Sequence, residues 1–146
     1  MDKFGKIKAL YISLEDKTRQ EKEIINLDQQ GIVGDKFYAK DVERSILISS
    51  IDSYELAKKN NIDIEFGYLG ENILLDISPY GLSSGDKIKI GSELVLEITQ
   101  NCTICNSLGK IYKDLPNILK ADRGIFAKAI QSGSIKKGDI VEVLAN

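Results

Sequence analysis

Histidine and tryptophan are absent from this 146-residue chain, and cysteine and proline occur only twice each. Without an imidazole there is no Ser-His-Asp triad, no His-paired nucleophile and none of the commonest zinc sites. The two cysteines, Cys102 and Cys105, amount to half of a structural zinc site. A disulfide between residues this close would fasten only a tiny loop, and the cytosol would reduce it. These thiols are therefore either inert small hydrophobes or reactive groups. No apolar run reaches the ~18 residues that a membrane-spanning helix needs. The opening residues, Met1-Asp2-Lys3-Phe4-Gly5, lack the apolar stretch of a signal peptide, so a cytoplasmic protein is expected. A basic excess is missing too. The net charge of −2 argues against a nucleic-acid-coating protein, although a local basic patch remains open.

What is present describes an ordinary globular chain, with 42% hydrophobic and 29% charged residues. The length suits a single domain over residues 1–146. Partial alternation over Lys6–Ser13 predicts a strand, and the polar stretch Glu15–Arg19 predicts a turn. A return strand is expected over Glu23–Leu27. Gly31–Val42 reads as an irregular, glycine-punctuated segment. Arg44-Ser-Ile-Leu-Ile-Ser49 is too apolar for a surface strand and reads as a buried one. Ser49 or Ser50 caps a helix over Asp52–Asn60, with Ser49-x-x-Asp52 in the form of a capping box.

Gly67–Asn72 is a second glycine loop, followed by a short strand at Ile73–Leu75. Glu93–Thr99 is the clearest strand, with Leu94, Leu96 and Ile98 on one face. Short helices are expected near Ser107–Lys113 and Asn117–Lys120, a strand over Arg123–Ile130, and a turn at Gly133. Gly85-Asp-Lys-Ile-Lys-Ile and Gly138-Asp-Ile-Val-Glu-Val share one pattern, a Gly-Asp turn that launches an alternating strand. Short strands joined by glycine turns, with few helices, predict a mainly β fold closed into a small, complete or partly open barrel.

Chemistry points to the segment after the clearest strand, Thr99-Gln-Asn-Cys-Thr-Ile-Cys105. A thiol acts as nucleophile or soft ligand only as thiolate, which needs positive charge or amide donors nearby. The flanks show no thioredoxin-like strand-helix-strand order. Cationic candidates are Lys36 in the first glycine loop, Arg44 at the start of the apolar strand, Arg123 before Gly124, and Lys128. An arginine opening a buried strand suits anion recognition, because its planar fork matches phosphate oxygens. Arg19 and Lys40 read as solvated surface. Gly70-Glu-Asn72 offers amides to a ligand, or simply forms an Asx-type turn.

The order of these pieces carries a resemblance that no single piece does. Gly34-Asp35-Lys36 comes first, then Arg44 with its Ser-Ile-Leu-Ile-Ser strand and Gly70-Glu71-Asn72. Leu82-x-x-Gly-Asp-x-Ile-x-Ile-Gly91 follows, then Leu96-Glu-Ile-Thr-Gln100 with Cys105 five residues on. Arg123-Gly-Ile-Phe-Ala-Lys128 and Gly138-Asp139 complete the set. Together they resemble a MOSC domain, the module similar to the C-terminal part of molybdenum-cofactor sulfurases, over about Gly5 to Leu144.

The resemblance implies a β-barrel related to the pyruvate-kinase barrel domain, with a pocket for the molybdenum cofactor (molybdopterin) or for a sulfur donor. Cys105 matches the family's cysteine, and the resemblance gives it the roles of catalytic thiol and molybdenum ligand or persulfide carrier. Lys36, Arg44, Asn72 and Arg123 are implied as cofactor-binding residues. Molybdopterin and sulfur donor or acceptor proteins are the implied partners, and pyridoxal phosphate enters through the family's associations. Histidines that larger relatives often place after the first Gly-Asp are replaced here by Lys36-Phe37-Tyr38. Cys102 is an addition that either resolves a persulfide on Cys105 or is incidental.

A cofactor or sulfur carrier needs a thiolate and an anion pocket but no general base, which agrees with the absence of histidine. The alternative is a molybdenum-dependent reductase of N-hydroxylated compounds. It requires an external electron donor, because no flavin or iron–sulfur motif is present. A nucleic-acid-binding barrel is disfavoured by the acidic balance and by the lack of an aromatic-basic stripe.

Overall fold

Alternation of Ile, Leu and Val at every second residue gives several strands one face that must leave water, and a sheet closed on itself is the solution this chain adopts. The computed structural model describes residues 2–102, 112–120 and 122–144. Its strands are β1 (Phe4–Ser13), β2 (Arg19–Lys22), β3 (Ile24–Asp28), β4 (Gly31–Ile32), β5 (Ile46–Ser50), β6 (Ile73–Leu75), β7 (Lys87–Ile90), β8 (Leu94–Asn101), β9 (Ile125–Gln131), β10 (Gly133–Lys136) and β11 (Ile140–Leu144). Its helices are α1 (Ile51–Lys59) and α2 (Leu115–Ile118), with a 3-10 turn at Val42–Arg44.

The main sheet runs β11-β7-β8-β9-β5-β6-β1-β2, and an additional β11–β1 pairing closes seven of these strands into a barrel. The fold is therefore mainly β with a closed barrel, as expected, and closure removes the open sheet edges. One pair in the ring is parallel, β5 with β6, and α1 lies on the crossover between them. The barrel interior is filled by Ile46, Ile48, Ile73, Leu75, Ile88, Ile90, Leu96, Ile98 and Ile125, all essentially inaccessible. A second apolar layer sits outside the wall. There Ala9, Tyr11 and Leu74 face Tyr54 and Ala57 of α1 and Leu115 and Leu119 at α2. That second layer explains why Ile73-Leu74-Leu75 is apolar without alternation: both faces of β6 are covered.

Several local expectations need correction. The return strand of the first hairpin is Arg19–Lys22, with Arg19 opposite Ser13. Ile24–Asp28 instead leaves the barrel sheet and pairs with Gly133–Lys136 and Gly31–Ile32. Its Ile25 and Leu27 drop into the core from there. Gly133 opens a strand rather than a turn, and a Cβ there would lie 2.9 Å from the backbone nitrogen of Leu94. Ser50, not Ser49, caps α1 through a 3.1 Å bond from the Asp52 N–H. Arg44 ends the 3-10 turn, and the buried strand begins two residues later. The two Gly-Asp repeats launch β7 and β11, which are paired neighbours in the barrel wall. The helix expected over 107–113 falls largely, and Cys105 wholly, outside the described residues.

Candidate functional site

A cavity of about 660 Å³ opens where β1 and β8 end and β6 and β9 begin. Lys36, Arg44, Asn72 and Arg123 all line it, although they come from four separate segments. Lys17, Arg19 and Lys40 join them, so six cationic side chains face a single carboxylate, Asp41. Such an imbalance in a concave, partly apolar wall concentrates positive potential and suits an anionic ligand. Three of the cations lie over aromatic rings. Arg44 is 4.9 Å from the Phe126 centroid, Lys36 is 4.9 Å from Phe37, and Arg19 is 5.6 Å from Tyr11. Phe37 and Phe126 also line the cavity, which adds flat apolar surface beside the charges.

Buried hydrogen bonds set these groups in place. Asp35, nearly inaccessible, accepts from the Ser13 N–H at 2.7 Å and from the Phe37 N–H at 3.0 Å, which ties the first glycine loop to the end of β1. Asn72 extends the clamp. Its Oδ1 accepts from the Leu47 N–H at 3.0 Å, and its Nδ2 donates to the Tyr11 carbonyl at 3.2 Å and to Asp35 Oδ1 at 3.3 Å. Its amide therefore joins β5, β1 and the first glycine loop at the cavity wall.

Arg19 is not solvated surface. It is half-buried, donates from Nη1 to Ser13 Oγ at 2.8 Å and from Nη2 to the Glu71 carbonyl, and leaves its buried Nε without an acceptor among the described residues. Burial lowers its pKa, while Glu71 and Asp35 pull it back up. A guanidinium nonetheless stays charged. Its position follows from the Ser13–Arg19 register, so no local sequence signal could have found it. Lys128, by contrast, faces Glu43 at 3.4 Å and Glu97 at 3.7 Å on the outer surface, away from the cavity.

Behind Arg19 sits Glu71, with 0% of its surface exposed. Its Oε2 accepts from the Tyr54 hydroxyl at 2.6 Å and from the Gly67 N–H at 3.2 Å, while Oε1 has no partner among the described residues. Burial pushes this carboxyl above its ordinary range, opposed by those hydrogen bonds and by Arg19. The Tyr54 hydroxyl also accepts from the N–H groups of Gly67 at 3.0 Å and Leu69 at 3.2 Å, so it folds the glycine loop onto the cavity rim. Burial and Glu71 raise the Tyr54 pKa, which keeps that hydroxyl a donor. Gly67 has φ +92°, and a Cβ there would press on the Tyr11 ring at 3.1 Å.

Cys102 also lines the cavity, directly after β8. Its sulfur accepts from Arg123 Nη1, whose Nη2 donates to the Leu69 carbonyl at 3.2 Å. Cys105, three residues further on, lies outside the described residues. Among the described residues no group of three or more Cys, Asp or Glu is arranged to hold a metal ion. No helix there is long and apolar enough to cross a membrane.

A family profile described as the MOSC domain matches residues 28–142. The crystal structure of APC1665, YUAD protein from Bacillus subtilis, superposes with a TM-score of 0.81 at 22% identity, covering 98% of this chain and 97% of that one. The crystal structure of YiiM from Escherichia coli superposes with a TM-score of 0.70 at 14% identity, covering 97% of this chain and 70% of that one. YiiM from Geobacillus stearothermophilus gives a TM-score of 0.68 at 15% identity, over 96% of this chain and 73% of that one. At these identities the structural likenesses concern the fold alone. A search of curated proteins found no match.

Proposed function

This chain belongs to the MOSC domain family, and from that premise we propose that its cationic cavity binds the molybdenum cofactor, or receives its sulfur, with Cys105 as the thiolate ligand or sulfur carrier. The observation that carries the reading is the convergence of Lys36, Arg44, Asn72 and Arg123 on one cavity that Cys102 also lines. The cavity chemistry fits the group. Molybdopterin is a phosphate-bearing anion, and the cavity offers six cations and the buried Nε atoms of Arg19 and Arg123, which have no acceptor among the described residues. When bound, the cofactor supplies the molybdenum centre and its sulfur chemistry. A soft thiolate suits both molybdenum and sulfane sulfur.

The chain's own residues have distinct tasks in this reading. Lys36, Arg44 and Arg123 hold negative charge, with Arg44 kept in place over Phe126. Asn72 keeps β5, β1 and the first glycine loop at their spacing around the ligand. Phe37 and Phe126 exclude water from its flat portion.

The test is the molybdenum and pterin content of anaerobically purified protein after incubation with free cofactor. Wild type should retain it stoichiometrically, and Cys105→Ser and Arg44→Ala should lose it. Full retention by Cys105→Ser would remove the thiolate from the reading. Reduction of an N-hydroxylated base by the loaded protein with a supplied electron donor would extend the role to a reductase.

A further inference from the structure

Cys102 has no part in the role given to Cys105, yet the structure builds a defined surrounding for it. Cys102 is 8% exposed and lines the cavity. Its backbone N–H donates to the Gly124 carbonyl at 3.0 Å, which fixes it beside the segment carrying Arg123. That segment is itself tied down. Ser49 Oγ donates to the Arg123 carbonyl at 2.8 Å, and Ser53 Oγ, in contact with the Tyr80 hydroxyl at 2.6 Å, donates to the Asp122 carbonyl. The Arg123 guanidinium is therefore held with Nη1 on the sulfur and Nη2 on Leu69.

A guanidinium hydrogen-bonded to sulfur favours the thiolate, the nucleophilic form. Two further observations point to an anionic guest. Arg123 Nε is buried without an acceptor among the described residues, and cations outnumber carboxylates six to one around the cavity. Buried donors left over in this way call for an acceptor that the described residues do not supply.

We propose that Cys102 is a second sulfur-accepting site, which takes a sulfane sulfur from a small persulfide donor and holds the product as an anionic persulfide against Arg123. This deepens the sulfur reading given above and rests on the same cavity, but not on Cys105. In the step, the Cys102 thiolate attacks the terminal sulfur of a donor R–S–SH. A bond forms between Sγ and that sulfur, the donor's S–S bond breaks, and its electron pair leaves with the thiolate R–S⁻. The proton on the transferred sulfur stays with the new persulfide and is then lost to solvent, giving an anion among the cavity cations. Atoms and charge balance without an added oxidant or reductant.

The experiment treats the Cys105→Ser protein with glutathione persulfide, caps the sulfur with an alkylating label, and identifies the peptide carrying Cys102 by mass spectrometry. A single additional sulfur on Cys102 is expected, and none in Cys105→Ser/Cys102→Ser. Adding Arg123→Gln should slow the uptake about tenfold at neutral pH and move the alkylation midpoint of Cys102 upward, and Arg123→Lys should restore part of the rate. An unmodified Cys102 in folded Cys105→Ser protein would overturn the proposal, as would an unchanged rate in folded Arg123→Gln. Should Arg123→Gln fail to fold, the parent decides: an alkylation midpoint for Cys102 at or above the free-thiol value of about 8.5 overturns the proposal. Lost cofactor retention with intact sulfur uptake on Cys102 would sink the cofactor reading alone, and the reverse result would sink this one alone.

Discussion

Removing a single oxygen, by Tyr54→Phe, tests whether the buried cluster behind the cavity holds the glycine loop in place. The ring keeps its edge-to-face packing on Phe66, at 5.1 Å between centroids, so the change is confined to hydrogen bonds. Three are lost: one donated to Glu71 at 2.6 Å, and two accepted from Gly67 at 3.0 Å and Leu69 at 3.2 Å. Gly67 keeps its bond to Glu71 Oε2, but Oε2 loses its shortest bond and the Leu69 N–H is left buried without an acceptor among the described residues. With the Glu71 carboxyl ionised, a bond to that charged acceptor contributes about 2 kcal/mol and an orphaned buried amide costs about 1 kcal/mol, so a loss of roughly 3 kcal/mol is expected there. For a chain of this length that corresponds to a fall in Tm of about 10 °C.

The loss should depend on pH with a definite sign. Burial holds the folded-state pKa of Glu71 above its ordinary value, so the stability this group contributes is present in acid and fades as pH rises through its elevated range. The Tyr54 hydrogen bond lowers that pKa, so removing it moves the fading to higher pH. The deficit of Tyr54→Phe should therefore be smallest in acid, where the carboxyl is protonated folded or unfolded, and should grow as pH rises through the elevated range of Glu71. Urea unfolding at several pH values, with the denaturant slope unchanged between variants, measures it. A loss under about 1 kcal/mol at neutral pH, or a deficit that ignores pH, would refute the reasoning.

Asn72→Ala should cost about 3 kcal/mol, because it orphans the buried Leu47 N–H and Tyr11 carbonyl and leaves Asp35 Oδ1 with the Ser13 N–H alone, and chemical denaturation reads it directly. Arg19→Gln should weaken binding of an anionic ligand about tenfold and flatten its salt dependence, as titration at two ionic strengths would show. Lys128→Ala, which removes two surface ion pairs outside the cavity, should change stability by less than about 1 kcal/mol and leave ligand binding untouched.

Much of the barrel was legible because its information is local. Alternation over Leu94, Leu96 and Ile98 places one face inward, and Gly85 and Gly138, with φ of +95° and +92°, mark the turns that launch β7 and β11. Unbroken apolar runs told less. Leu47 and Leu74 look alike in sequence, yet Leu47 faces the cavity and Leu74 faces the helical layer, a difference made by what covers the outside of each strand.

The residue types of the candidate site were legible too: a cation in the first glycine loop, one before the apolar strand, one before Gly124, and thiols after the clearest strand. Their meeting at one cavity was not. Arg19 reads as a polar turn residue until the β1–β2 register sets it opposite Ser13 and the Glu71 carbonyl draws it inward. Cys102 reads as either a resolving thiol or an incidental one until the segment before β9 brings Arg123 up to its sulfur. Composition and period thus determined which faces are apolar and where the chain turns, because those follow from neighbours in sequence. Which charges share a cavity depends on strand register and barrel closure between residues 50 or more apart, such as Arg19 with Glu71 and Ser49 with Arg123. Only the tertiary structure decides those, because the buried hydrogen bonds that select one register exist only once the strands have met.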